Sequence, residues 1–155
     1  MVVLPKVLLN ANRDEGLCFG CGCNNPIGLK LKFTKDSDVL RAEYTPHKDF
    51  QGWPGLVHGG ILNCLLDEVM SNAAYAEGST CLTASMEVRL RQPVPVEVPL
   101  VITGRITRKR KRLIETEGKI SLKDGTVIAE STAKQFVAKN CPGEVDKVKE
   151  NRSHV

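Results

Sequence analysis

His58-Gly59-Gly60-Ile61-Leu62-Asn63-Cys64-Leu65-Leu66-Asp67-Glu68-Val69-Met70-Ser71-Asn72-Ala73-Ala74-Tyr75-Ala76 is the stretch that reads as one long helix. Positions 61–76 hold helix formers with neither Pro nor Gly, enough for about 24 Å at the standard rise. The apolar residues Ile61, Leu62, Leu65, Leu66, Val69, Met70, Ala73, Ala74 and Ala76 occupy most of its circumference. Such a helix suits a position enclosed by other structure rather than one on a surface. Glu77-Gly78-Ser79 ends it.

Downstream, residues 82–138 alternate with period two in four segments: Ala84, Met86, Val88 and Leu90; Leu100, Ile102 and Ile106; Ile114, Ile120 and Leu122; and Val127, Ala129 and Val137. This is the pattern of antiparallel strands with one buried face. Asp124-Gly125 supplies a hairpin turn. Upstream, Leu29-Lys30-Leu31-Lys32-Phe33 alternates in the same way, and a second strand runs from Val39 to Tyr44 after the Lys35-Asp36-Ser37-Asp38 break, which predicts a hairpin. The order is two strands, one buried helix and four strands. An α+β fold follows, in which a sheet of about six antiparallel strands curls around the helix to hide it.

The chain has 155 residues, of which 41% are hydrophobic and 26% charged. That is the size and composition of one globular domain, and it excludes collagen-like, disordered and membrane classes. No apolar run reaches the ~18 residues that span a bilayer, and the opening Met1-Val2-Val3-Leu4-Pro5-Lys6 is too short for a secretory signal, so a cytoplasmic location is expected. A net charge of +4 favours an anionic ligand but falls short of a nucleic-acid binder. The domain is expected over residues 18–138, with an N-terminal extension over 1–17 and a polar, flexible tail over 139–155.

Two adjacent glycines at a helix start allow close approach of a ligand and leave N–H groups unpaired at the positive end of the helix dipole. Asp67 lies about two turns further in among apolar neighbours, where an unpaired carboxylate costs several kcal/mol. From His58 to Asp67 is nine residues, about 13 Å along the axis and half a turn around it. Oxyanion donors and carboxylate therefore cannot meet on one small group within one chain. If both serve one reaction, the carboxylate comes from a second subunit, which predicts a homodimer with composite sites. His58 reads either as a helix cap or as a base.

These residues resemble the hotdog-fold acyl-CoA thioesterases of the phenylacetate-pathway type. The resemblance rests on His58-Gly59-Gly60 followed by six residues and Asp67. It is strengthened by Gln51-Gly52-Trp53-Pro54-Gly55, by the opening Cys18-Phe19-Gly20-Cys21-Gly22 with Asn25-Pro26-Ile27-Gly28-Leu29, and by Thr83-Ala84-Ser85 with Arg91-Gln92-Pro93. It implies a sheet wrapped around the helix and subunits that join sheets edge to edge, as a homodimer or a dimer of dimers. It also implies hydrolysis of an acyl-CoA thioester. The Gly59 N–H, with Gly60, would polarise the thioester carbonyl, and Asp67 of the partner would act as nucleophile or as base for water. Thr83 would hold the water or the carboxylate, His58 would position the loop or touch the sulfur side, and Gln51 would stand for an upstream amide. Glu68 is the rival of Asp67. The alternative is a silent acyl-CoA or fatty-acyl binding protein on the same fold. Coenzyme A enters as part of the substrate, with no separate cofactor.

Arg108-Lys109-Arg110-Lys111-Arg112 reads either as a solvated hairpin end or, given the resemblance, as a place for coenzyme A phosphates, with Arg110, Lys111 and Arg112 its candidates. Arg89 and Arg91 share the face of Thr83 if alternation holds, and Arg89 is a further candidate. With one Trp, two Tyr and four Phe, none of them in the basic run, nucleic acid is disfavoured. Cys18, Cys21 and Cys23 lack the second Cys or His pair that a zinc spacing requires, with only Cys141 or a His to complete them, and no metal is expected. Cys64 reads as packing.

Overall fold

The computed structural model describes residues 16–138. All but the last two residues of the expected N-terminal extension, and the whole expected tail with Cys141, lie outside the described residues. Six strands, β1 (Thr34–Asp36), β2 (Val39–Tyr44), β3 (Cys81–Leu90), β4 (Leu100–Lys109), β5 (Leu113–Ser121) and β6 (Val127–Val137), form one sheet in the order β1-β2-β4-β5-β6-β3. Every neighbouring pair is antiparallel. Helix α1 (Gly59–Ala76) packs against all strands from β2 to β6, so the sheet wraps around it as expected. Among the described residues no helix is long and apolar enough to cross a membrane.

The core lies between α1 and the inner face of the sheet. Leu62, Leu65, Leu66, Val69, Met70 and Ala73 pack against Leu40, Leu100, Ile102, Ile120 and Ala129. The helix comes closest where two glycines face one another across adjacent strands, Gly104 of β4 and Gly118 of β5. A Cβ at Gly104 would lie 3.0 Å from Val69, and one at Gly118 would lie 3.1 Å from Met70. These positions are glycine because the helix occupies the space a side chain would need. Asp124-Gly125 forms the expected turn, with Gly125 at φ 92° and the Asp124 carboxylate accepting the Thr126 N–H at 2.8 Å.

Two expectations are corrected. The predicted first strand, 29–33, is not in the sheet. Leu29 and Leu31 are buried as the alternation required, but their N–H groups donate to the carbonyls of Phe19 and Gly20 at 2.7 and 2.9 Å. The segment is tied to the Cys-rich loop, and the sheet begins only at Thr34. The loop and this segment thereby cover the side of α1 that the sheet leaves open, with Leu29 and Leu31 joining the core.

The second correction concerns β3. Its register against β6 shifts between Thr83 and Ser85, with Ala84 as the extra residue. A bulge reverses the alternation across it. Thr83 pairs with the buried Gln135 and faces the helix, and so do Met86 and Val88 beyond the bulge, which pack on the core. Arg89, paired with Glu130, lies on the outer face. Unbroken alternation had put Arg89 and Thr83 on one face; the bulge separates them.

Candidate functional site

His58 caps α1. Its Nδ1 accepts the Gly60 N–H at 2.9 Å, and its carbonyl accepts from Ile61 and Leu62. A neutral His58 bonded in this way carries its ring proton on Nε2. The Gly60 N–H is thus engaged by the cap. The Gly59 N–H has no acceptor among the described residues. Beside it opens a mostly apolar cleft of about 730 Å³, lined by Trp53, Val57, His58, Gly59, Leu62 and Leu90. Leu90 comes so near that a Cβ on Gly59 would meet its Cδ1 at 3.2 Å. Trp53 is 81% exposed at the cleft.

Gln51 braces the loop that precedes the helix. Its Oε1 accepts the Gly55 N–H at 2.9 Å and closes the turn that carries Trp53, so its carbonyl oxygen serves the loop.

Asp67 is half-buried on α1, about 12 Å along the axis from Gly59. Its Oδ1 accepts from the Thr83 hydroxyl at 2.8 Å. That contact exists because the bulge at Ala84 turns Thr83 toward the helix. Ser71, one turn beyond Asp67, lies 3.5 Å from the Thr83 oxygen, and the fully buried Gln135 donates to Ser71 at 3.1 Å. The Gln135 carbonyl oxygen is buried without a partner. Sequence reasoning missed Ser71 and Gln135. The available signals were the i+4 spacing of Ser71 from Asp67 and a polar residue at an inward position of β6.

Glu68 points elsewhere. Its carboxylate accepts from Asn72 Nδ2 at 3.0 Å and from the Cys18 thiol at 3.5 Å, and it contacts Cys21. Burial, followed by the Glu68 carboxylate, pushes the Cys21 thiol well above its ordinary range. Burial raises Cys64 as well. Asp67 and not Glu68 is the carboxylate joined to Thr83.

The basic run is an exposed hairpin end. Lys109 lies by Ala76 and Glu77 at the C-terminal end of α1, the end opposite Gly59. Within one chain, Arg110, Lys111 and Arg112 are therefore not brought to the cleft. Arg89 lies in an outer groove of about 740 Å³ with Arg105, Glu117 and Lys119, bonded to Glu87 at 3.2 Å. In this groove Arg105 pairs with Glu117 at 2.6 Å and Arg91 with Glu130 at 2.8 Å, so most of its positive charge is spent.

Strand β3 is a sheet edge ten residues long, with Thr83, Ala84, Ser85, Glu87, Arg89 and Leu90 exposed. It contains no Pro, and an uncovered edge of this length is a template for pairing with another strand.

Residues 54–129 match the family model of the thioesterase superfamily. The chain is 23% identical over 131 residues to the acyl-coenzyme A thioesterase THEM4 of Bos taurus, covering 83% of this chain and 54% of that protein. It therefore spans about half the length of this curated relative. A solved thioesterase superfamily protein, RHA08564, is similar at 33% identity and a TM-score of 0.68, covering 73% of this chain and 58% of the other. The E. coli PaaI protein from the phenylacetic acid degradation operon shares the fold at 16% identity and a TM-score of 0.68, covering 72% of this chain and 82% of that one. The matched segment, the relatives and the shared hotdog fold make the chain similar to the thioesterase superfamily.

Proposed function

We propose that the chain hydrolyses an acyl-CoA thioester to the free acid and coenzyme A, as a homodimer whose two sites each take Gly59 from one subunit and Asp67 from the other. The observation that carries this reading is the division of labour along α1. An unpartnered Gly59 N–H lies beside an apolar cleft, and a carboxylate held by Thr83 lies about 12 Å further along the same helix. One chain cannot bring the two to one carbonyl.

The edge strand supplies the remedy. If β3 pairs antiparallel with its copy about a two-fold at Glu87, the bulge at Ala84 brings the partner's Thr83 opposite Leu90. Leu90 is the residue packed against Gly59. The same two-fold brings the partner's Asp67 toward the cleft. It also reverses the partner's helix, carrying its Arg110, Lys111 and Arg112 toward this end of the molecule, where they would meet the phosphates of coenzyme A.

In the reaction the thioester oxygen gains negative charge as the carbonyl carbon is attacked, and the Gly59 N–H at the positive end of the helix stabilises it. The partner's Asp67 either takes a proton from the attacking water or attacks the carbonyl itself, giving an anhydride that water opens. In either route the tetrahedral adduct collapses by breaking the C–S bond, and the coenzyme A thiolate leaves and is protonated; on the direct route this departure is the step that leaves the anhydride for water to open. His58 holds the glycine loop through its cap, with Nε2–H available toward the sulfur side.

Free-thiol release should be measured across acetyl, palmitoyl, phenylacetyl and benzoyl-CoA for the native chain and Asp67→Asn, with sedimentation to establish the dimer. Release that collapses in the variant while fold and dimer persist supports the proposal. Acyl-CoA binding without release points to the silent binding protein. Release that survives Asp67→Asn rejects Asp67 and brings Glu68 forward.

A further inference from the structure

We propose that Cys18, Cys21 and Glu68 form a binding site for a zinc-class divalent metal ion, which ties the Cys-rich loop to the helix that carries Asp67. The two sulfurs and a carboxylate oxygen all lie within 4.8 Å of one another. The Cys18 Sγ lies 3.5 and 3.7 Å from the two Glu68 oxygens. Bond lengths of ~2.3 Å to sulfur and ~2.0 Å to oxygen at a tetrahedral angle put such ligand atoms about 3.5 Å apart. The three donors therefore need little movement to close on one ion.

Several features hold them there without a metal. The Gly22 N–H donates to the Cys18 carbonyl at 2.9 Å and winds the Cys-x-x-Cys turn, while Leu29 and Leu31 anchor the adjacent carbonyls of Phe19 and Gly20. Gly20 lies so close to the helix that a Cβ on it would sit 2.4 Å from the Glu68 carboxyl carbon. A Cβ on Gly22 would sit 2.3 Å from the Gly16 carbonyl oxygen. Both glycines leave room for the loop to close on Glu68. Asn72 donates to Glu68 Oε1 at 3.0 Å, the outer contact that orients a ligating carboxylate.

Two thiolates and one carboxylate suit Zn²⁺ or Co²⁺ and not the hard ions Mg²⁺ and Ca²⁺. Binding releases the two thiol protons, and water completes the tetrahedron. Cys23, bonded to the Asn24 side chain, lies outside the cluster. The third ligand lies 47 residues beyond Cys21, so a local Cys spacing could not show it.

The test uses the full chain, reduced and freed of metal by chelation, titrated with Co²⁺. One Co²⁺ per chain is expected, with thiolate-to-cobalt charge-transfer absorption and tetrahedral visible bands that Zn²⁺ abolishes by displacement. Cys18→Ser and Cys21→Ser should each remove the signal, Glu68→Gln should weaken binding by at least tenfold, and Cys23→Ser should leave it intact. No charge-transfer band overturns the proposal, as does a band that survives Cys18→Ser or is lost equally in Cys23→Ser. Circular dichroism checks that each variant folds. An alkylation footprint of the unmutated chain decides without variants: Zn²⁺ should protect Cys18 and Cys21 and leave Cys23 reactive, and protection of all three thiols or of none overturns the site. These readouts measure metal binding alone and do not depend on thioester hydrolysis.

Discussion

Replacing Gly104 with Ala tests how tightly the helix is held against the sheet. A Cβ there would lie 3.0 Å from both Cγ2 and the carbonyl oxygen of Val69, and 3.1 Å from its carbonyl carbon. The Val69 side chain can turn, but its carbonyl belongs to the helix backbone, so α1 itself must retreat by a few tenths of an ångström. Across the strand pair, a Cβ on Gly118 would meet Met70 Cγ at 3.1 Å, Leu66 Cδ2 at 3.3 Å and Met70 Sδ at 3.4 Å. Those are ends of flexible side chains. Overpacking a core costs ~1–3 kcal/mol. Gly→Ala at a backbone any residue can adopt returns ~0.4–1 kcal/mol through the unfolded state. The balance is a loss of about 1–2 kcal/mol for Gly104→Ala and about zero for Gly118→Ala.

Urea unfolding of both variants measures this directly, with an unchanged slope showing that only stability moved. Val69 follows Asp67 by two residues, so the retreat also disturbs the Asp67–Thr83 contact. Thioester hydrolysis should therefore fall in Gly104→Ala more than in Gly118→Ala. Adding Val69→Ala to Gly104→Ala should recover only part of the loss, since the carbonyl contact remains. Equal costs at the two glycines, or a larger cost at Gly118, would refute the argument that backbone contact sets the difference.

His58→Ala removes the side-chain cap on the Gly60 N–H and should cost ~1 kcal/mol of stability in urea melts, with His58→Asn costing less. Thr83→Val should depress hydrolysis while Thr83→Ser restores most of it, because only the hydroxyl meets Asp67; equal loss in both would assign the effect to strand packing. The Thr126 backbone N–H holds the Asp124 carboxyl below its ordinary value of 3.8. Its contribution is therefore present above that value and lost as pH falls through the depressed pKa, so Asp124→Ala should be less stable than the parent at neutral pH and converge with it in strong acid. Burial raises the Cys64 thiol, so alkylation near pH 8 should label the exposed Cys23 well before Cys64.

The parts of this molecule that were legible in the sequence are those fixed by a local period. The helix announced itself through its apolar circumference, and β4, β5 and β6 through alternation that continues without interruption over most of their length. The same rule misled where hydrogen-bond partners are not periodic. Leu29 and Leu31 alternate with lysines and are buried accordingly, yet their backbone partners are loop carbonyls and not a strand. One extra residue in β3 had the larger consequence. With Ala84 bulged out, Thr83 turns inward to Asp67 while Arg89 stays outside, and no count of apolar residues reveals a bulge that interrupts so short a run.

Glu68 was equally opaque in the sequence, since its partners Cys18 and Cys21 lie some 50 positions upstream. The spacing did state one relation in advance, because it depends only on helix geometry: Gly59 and Asp67 are too far apart on one helix to serve the same carbonyl. The long bare edge of β3 is the structural counterpart of that separation. Donor and carboxylate two turns apart on one helix, with one edge of β3 left free, are what the proposed pairing of two subunits requires.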